Sequence, residues 1–405
     1  MYTNYEIKSD IFWIGGNDRR LERFENMFPI PNGVSYNSYL IMDEKTVVMD
    51  TVDSSISALY LENITHTLGG RTLDYLVINH MEPDHCANIE ELVRRYPEVK
   101  VVGNKKTFQF MEQYYSLDMS SNYFEVKEGD ELSLGKHTLR FYFAPMVHWP
   151  EVMFTYEVSE GILFSADAFG SFGALSGNVF ADEVEYDNVF LDEARRYYTN
   201  IVGRYGTQVQ AILKKVSTLE INMICSLHGF IWRNQGVGYI VEKYKEWSSY
   251  QPEKKGVVLA YASMYGNTEN VVNALAVKLA QRGIKDMRVY DVSKTHPSYI
   301  ISDVFKYSNV VFASCTYNMN LYFMMDSLLK ELSVLGIKDR KVTLIGNHSW
   351  ASAALKEMTG LINSMKGMEY VGTPIDVKST LKPEREPELD EIADAIVKSL
   401  ENNEI

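Results

Sequence analysis

The largely apolar run Leu73–Ile78 passes without a break into Asn79–Cys86, written NHMEPDHC. Such a run, short and bounded by polar residues, reads as a buried strand. The strand ends where His80, Glu82, Asp84 and His85 crowd together. An extended turn sends alternate side chains to opposite sides, so His80, Glu82 and Asp84 are expected to share a direction, with His85 brought beside them by a bend. Taken singly, each of the four is more simply a solvated side chain, and Asp84 a helix N-cap ahead of a helix near Cys86 to Tyr96. Taken together, four ligand-type residues at one strand end favour a metal site.

At 405 residues the chain exceeds the usual domain of about 100–200 residues and is expected to form two or three units. A formal charge of -14 opposes nucleic-acid binding, which needs a basic face to neutralise phosphate. No window approaches the ~18 apolar residues of a membrane span, and the first residues lack a basic segment followed by an apolar core. A cytoplasmic protein is the expectation. Cys86, Cys225 and Cys315 are isolated, which points to reduced, buried thiols. With no CxxC pair, this sequence has no place for iron held by four thiolates.

The first 250 residues alternate short β-rich runs with turns and a few helices, an α+β texture. Asn17–Asn32 is too rich in charge and proline to read as strand, and is either a cover over a site or a solvated connector. Three further ligand candidates follow strand-like runs: His148 in APMVHWPE, Asp167 in FSADAFG and His228 in ICSLHGF. The polar stretch Ser248–Lys255 marks a boundary, giving domains 1–250 and 251–405. Beyond it strands and helices alternate strictly, with helices expected over Asn270–Arg282, Met324–Leu335 and Leu389–Leu400, as in an α/β doubly wound parallel sheet.

The first strand of this second unit runs into Ser263, Met264, Tyr265, Gly266, Asn267 and Thr268, with a helix to follow. A hydroxyl-rich turn at a helix N-terminus offers free N–H groups and a positive dipole end to a phosphate. Two other strand ends carry Thr316, Tyr317 and Asn318, and Gly346, Asn347, His348, Ser349 and Trp350. Ligands of doubly wound sheets bind beyond the carboxyl ends of the strands, so these loops should share one crevice, with Tyr317 and Trp350 as flat walls. Phosphate, aromatic ring and crevice together fit FMN; the GxGxxG fingerprint of a dinucleotide is absent.

The order of motifs, HxExDH, then His in PMxHWP, Asp in DAFG and His in SLHG, resembles that of the flavodiiron proteins. The resemblance covers nearly the whole chain. It implies a metallo-β-lactamase-like αββα sandwich followed by a flavodoxin-like domain. It implies one iron held by His80, Glu82, His148 and Asp167, and a second held by Asp84, His85, His228 and a bridging Asp167. In some members the residue matching His85 does not ligate. The matching pocket also lies near Tyr197 and Tyr198, candidate catalytic residues whose other reading is core packing. Two departures bear on the pocket: Asn17–Asn32 has no histidine, and Ser171–Gly177 is smaller and more apolar than in many members.

The oxygen-rich set Glu82, Asp84 and Asp167 suits iron better than zinc. Two ferrous ions and a reduced flavin together carry the four electrons that take O2 to water, whereas two NO going to N2O need two. The expected function is O2 reduction, with NO reduction as the alternative. The rivals are a dinuclear metallohydrolase and a pure electron carrier. With no rubredoxin-like or flavin-reductase module in the sequence, an external donor is implied, either rubredoxin or a reduced deazaflavin. The resemblance further implies a head-to-tail homodimer or dimer of dimers, with Trp149 and Trp350 at the contact.

Overall fold

The computed structural model describes residues 1–402 and divides into two units. Unit one comprises Met1–Tyr198 and Thr207–Lys245; unit two comprises Thr199–Gly206 and the chain from Glu246 onward.

Unit one holds two main sheets. The first runs Tyr5–Lys8, Ile11–Trp13, Tyr39–Met42, Thr46–Met49, Tyr75–Val77, Lys100–Gly103, Tyr123–Glu125 in spatial order. The second runs Glu131–Ser133, Thr138–Phe143, Met153–Glu157, Ile162–Phe164, Met223–Cys225, Trp232–Arg233. Thr46–Met49, Met153–Glu157, Ile162–Phe164 and Met223–Cys225 are buried at every position, which is why they read as short apolar runs rather than alternating ones. Helix Ser57–Leu68 buries Tyr60, Asn63, Ile64 and Leu68, the spacing of one helical face. Between the sheets, Asn37 Nδ2 donates to the Ser226 and Gly229 carbonyls, and the Tyr39 hydroxyl donates to the Ser226 carbonyl at 2.7 Å.

The charged stretch Asn17–Asn32 does contain strand: Gly16–Asp18 pairs with Val34–Tyr36, and Arg23–Phe24 pairs with Phe28–Pro29 as a small hairpin. Its apolar anchors Phe24 and Phe28 are buried, and they outweigh the charged residues that face out. The helix after the ligand cluster is two pieces, Pro83–Cys86 and Ile89–Arg95. Asp84 lies inside the first turn rather than capping it; Glu82 holds the cap position.

Unit two is a parallel sheet in the order Met287–Asp291, Lys254–Ala262, Tyr307–Tyr317, Lys341–His348, the last pairing with both Glu369–Tyr370 and Ile375–Lys378. The order reverses between the strands Lys254–Ala262 and Tyr307–Tyr317, the switch point where such sheets open a crevice. Two of its helices are longer than the sequence pattern indicates, Asn267–Gln281 and Glu386–Asn402, and Phe323–Val334 has the expected length but starts one residue earlier. Pro297–Lys306 and Ala354–Asn363 are helices that the pattern did not reveal. The stretch Ser248–Lys255 is not one loop; helix Gln235–Ser249 ends in it and strand Lys254–Ala262 begins in it. Tyr250 ties the early segment into unit two, its hydroxyl donating to the Gly203 carbonyl at 2.7 Å. The buried Arg340 guanidinium donates to the carbonyls of Tyr250, Val304 and Phe305, which satisfies its N–H groups in the core.

Candidate metal centre and flavin crevice

The ligand-type residues of unit one follow strand ends of both sheets, the first sheet giving the cluster that begins at His80 and the second giving His148, Asp167 and His228. His80 comes after Tyr75–Val77, His148 after Thr138–Phe143, Asp167 after Ile162–Phe164 and His228 after Met223–Cys225. The bend into Asp167 passes through Ala166 at φ 48°, a left-handed conformation that L side chains seldom adopt. Beyond His228 only glycine fits at 229: φ is 74°, and a Cβ would lie 2.2 Å from Ser171 Oγ.

Seven side chains form two groups. His80, Glu82, His148 and Asp167 make one, and Asp84, His85 and His228 the other, with the ligand atoms of each group within 4.8 Å of one another. Asp84 therefore does not share the direction of His80 and Glu82, because the helical turn Pro83–Cys86 rotates it to the other group. Asp167 joins the groups: Oδ2 lies 3.1 Å from His148 Nε2, and Oδ1 lies 3.0 Å from His85 Nε2. Both oxygens of Asp84, together with Asp167 Oδ1, are buried without a hydrogen bond. His85 Nε2 and His228 Nε2 face each other at 3.0 Å. Converging lone pairs and orphaned carboxylate oxygens in a buried space are what a pair of cations would satisfy.

The tautomers are set from behind. His80 Nδ1 donates to Glu151 Oε1 at 2.8 Å, and His228 Nδ1 donates to the Ser35 carbonyl at 2.8 Å, leaving each Nε2 turned inward. Asp50 accepts from the backbone N–H groups of Asn79 and His80 and from Asn79 Nδ2, so it fixes the turn itself. Burial pushes the Asp50 carboxyl up to about 6 against those hydrogen bonds. Glu151 and Asp50 were not singled out from the sequence. Glu151 stands three residues after His148, and Asp50 directly follows the run Thr46–Met49, but nothing in one sequence marks either as facing His80.

Burial disfavours a charged imidazole, yet neighbouring carboxylates override it. The charges of Asp84 and Asp167 push His85 up to about 9, and hydrogen bonds that His148 donates to Asp167 and Glu82 push His148 up to about 9. For Asp167, burial is overcome by the His85 charge and the His148 hydrogen bond, which hold it well below the usual range.

The hairpin within Asn17–Asn32 covers this site. The Phe24 ring meets His228 edge-on at 5.2 Å and Phe172 at 5.5 Å. Glu25, at φ 49° on the hairpin tip, keeps much of its surface open, yet its carboxyl is pushed up to about 8 by the atoms crowding it and then by Glu82. The Tyr197 ring lies 5.5 Å from His228, with its hydroxyl buried and unbonded. Tyr198 instead packs on Tyr244 at 4.9 Å. The partly buried Trp149 lies edge-on to His80 at 5.4 Å.

In unit two a crevice opens at the switch point. Of the residues expected there, Ser263, Met264, Tyr265, Asn267, Thr268, Thr316, Asn318, Asn347, His348, Ser349 and Trp350 line it, together with Cys315, Met319 and Ala351; Gly266, Tyr317 and Gly346 do not. Thr268 lies inside helix Asn267–Gln281, not ahead of it, and the cap residue Gly266 makes no side-chain cap bond. Thr268 Oγ1 is buried without a partner. Uncapped N–H groups beside an orphaned hydroxyl fit a phosphate. Two expected contacts have structural duties: Thr316 Oγ1 accepts from the N–H groups of Ala353 and Ala354, and Asn347 Nδ2 donates to the Ser379 carbonyl. Met264, Tyr265, Tyr317, Met319 and Trp350 stand exposed at this end of the sheet.

Residues 34–229 match the family described as ODP family beta lactamase, and residues 259–388 match flavodoxin. The protein thus joins a metallo-β-lactamase-like domain to a flavodoxin domain. An anaerobic nitric oxide reductase flavorubredoxin of Aliivibrio salmonicida is 31% identical over 389 residues, 93% of this chain and 75% of that protein. An uncharacterized protein of Methanocaldococcus jannaschii is 31% identical over 360 residues, 89% of each chain. Rubredoxin oxygen:oxidoreductase from Desulfovibrio gigas superimposes with a TM-score of 0.91 at 28% identity, covering 98% of both chains. The flavodiiron protein from Giardia intestinalis does so with a TM-score of 0.90 at 25% identity, covering 99% of this chain and 98% of that one. This chain belongs to the flavodiiron proteins, oxidoreductases that work with FMN and a non-haem pair of irons. As redox enzymes they draw on an electron donor. Among the described residues no helix is long and apolar enough to cross a membrane, and Cys86, Cys225 and Cys315 are buried and free.

Proposed function

We propose that this chain reduces O2 to water, with His80, Glu82, His148 and Asp167 holding one iron and Asp84, His85, His228 and Asp167 the other. The observation that carries the reading is Asp167, whose two carboxylate oxygens reach into separate ligand groups. The donor set of four histidines and three carboxylates fits iron, since hard anionic oxygens favour the oxidised ion. When bound, the irons and FMN supply the redox equivalents. The chain's own residues prepare the place. Glu151 and Ser35 orient His80 and His228, Asp50 holds the turn, and Phe24, Phe172 and Tyr197 keep bulk water from the second group. Tyr197 is the better placed of the two tyrosines to border substrate; Tyr198 serves packing.

The crevice of unit two takes FMN, with its phosphate at the helix start by Thr268. Electrons come from outside the chain, from rubredoxin in our reading, with a reduced deazaflavin as the alternative donor. The exposed apolar rim of the crevice, Trp350 above all, suits burial against a second copy in a head-to-tail homodimer, alone or as a dimer of dimers, with Trp149 at the same contact. Reduced buried thiols accord with a cytoplasmic setting.

A second reading, NO to N2O at the same centre, is favoured by the name of the Aliivibrio salmonicida relative. Anaerobic reduction followed by separate turnover with O2 and with NO decides between them. Faster O2 consumption supports the first reading; N2O formation without O2 consumption replaces it with the second.

A further inference from the structure

Strand Lys341–His348 runs parallel to Ile375–Lys378, with Gly346 opposite Asp376 and His348 opposite Lys378. Residues two apart on a strand share a face, so Gly346 and His348 lie on the same side, and the Asp376 carboxylate reaches diagonally across the glycine. A Cβ at Gly346 would fall 2.8 Å from Asp376 Oδ1 and 2.7 Å from Leu355 Cβ, so the position admits no side chain without displacing that carboxylate. In the space left, His348 Nδ1 donates to Asp376 Oδ1 at 3.0 Å, and the Ser352 hydroxyl donates to Asp376 Oδ2. Both carboxylate oxygens are therefore engaged. The Asp376 main chain is held as well, its carbonyl accepting from Arg385 Nη1 at 2.9 Å, while the Arg385 guanidinium is paired with Glu388. His348 lines the crevice, and with Nδ1 occupied its remaining ring nitrogen is Nε2.

We propose that Ser352, Asp376 and His348 form a hydrogen-bonded relay that presents His348 Nε2 to the flavin ring and lowers the potential of the bound FMN. His348 is the group that meets the cofactor; Asp376 and Ser352 are positioning residues. A carboxylate behind an imidazole fixes its tautomer and leaves the lone pair on the far nitrogen, as it does for histidines that bind metals. Electron density brought to the flavin disfavours adding electrons to it, so the relay makes reduced FMN a stronger reductant towards the irons. The inference rests on the reading of this crevice as the FMN site.

Its test is a two-residue cycle on the full-length flavin-loaded protein, with the flavin midpoint potential read by spectroelectrochemical titration. His348→Gln and Asp376→Asn should each keep FMN and shift the balance towards reduced flavin by about tenfold at a fixed solution potential, ~30 mV for a two-electron couple. Asp376→Asn should add no further shift once His348 is Gln. A merely structural role would not give that dependence. Bound flavin with an unshifted potential in both single variants overturns the relay while leaving the crevice reading intact. An equal shift by Asp376→Asn with and without His348 overturns it too, because the carboxylate would then act through space. Flavin lost from both single variants means the pair builds the crevice instead, and this also overturns the proposal.

Discussion

At the scale of single residues, the centre depends on lone pairs that point inward. His228 contributes one and is held by the Ser35 carbonyl, so His228→Ala should lower iron content by about half or more while FMN stays bound in its separate domain. Metal analysis beside the flavin absorbance of one preparation checks this. The same lone pairs make iron uptake a competition with protons. His85 and His148 are pushed up to about 9, so in the iron-free protein both carry protons at neutral pH, and those protons must leave as metal enters. Apparent iron affinity should therefore rise with pH until about 9 and level off above it. The sign for stability runs the other way. A histidine whose folded value is raised gives stability that is fully present below its unfolded value near 6.5 and is lost as pH rises through about 9. Iron-free protein should melt lower at pH 9.5 than at pH 7, by a margin that iron-loaded protein does not show; calorimetry on both forms measures it.

Elements explain which parts of the site were legible beforehand. The strand–turn arrangement at Asn79–Cys86 is local, and its ligand residues stand out because four occur together. The rotation of Asp84 away from His80 was not legible, since it arises from one helical turn begun by Pro83, which an extended reading of the stretch misses. Glu151 and Asp50 were invisible for another reason: each meets His80 only through the folded sheets, at separations of 71 and 30 residues. The hairpin at Arg23–Pro29 was hidden by its charges, although buried Phe24 and Phe28 decide its pairing. In unit two the strand and helix alternation is plain in the sequence, while helix Asn267–Gln281 starts ahead of its apolar pattern because Asn267 and Thr268 are equally good turn residues. That placement makes Thr268 a specific test of the phosphate end. Thr268→Val keeps shape and removes the orphaned hydroxyl, so it should weaken FMN binding about 10-fold, the worth of one hydrogen bond to a charged group. Fluorescence titration of flavin-free protein with FMN reads the change, and unaltered affinity would remove Thr268 from the phosphate site.

For the whole molecule, two units with separate centres raise the question of how electrons pass from flavin to iron. The head-to-tail pair proposed above would answer it by setting the flavin of one copy against the irons of the other, with both contacts forming together. Mixing an Asp84→Ala chain with a chain whose flavin loop is disabled, under conditions that exchange subunits, should restore part of the activity that each lacks alone. Full activity in a demonstrably monomeric preparation would contradict the pairing. Flavin and iron pair together would hold the four electrons that take O2 to water, so the decisive quantity is the number of electrons consumed per O2. With a chemically reduced rubredoxin as donor and an oxygen electrode, four electrons per O2 and no hydrogen peroxide are expected; two electrons per O2 with peroxide released would overturn O2 reduction to water.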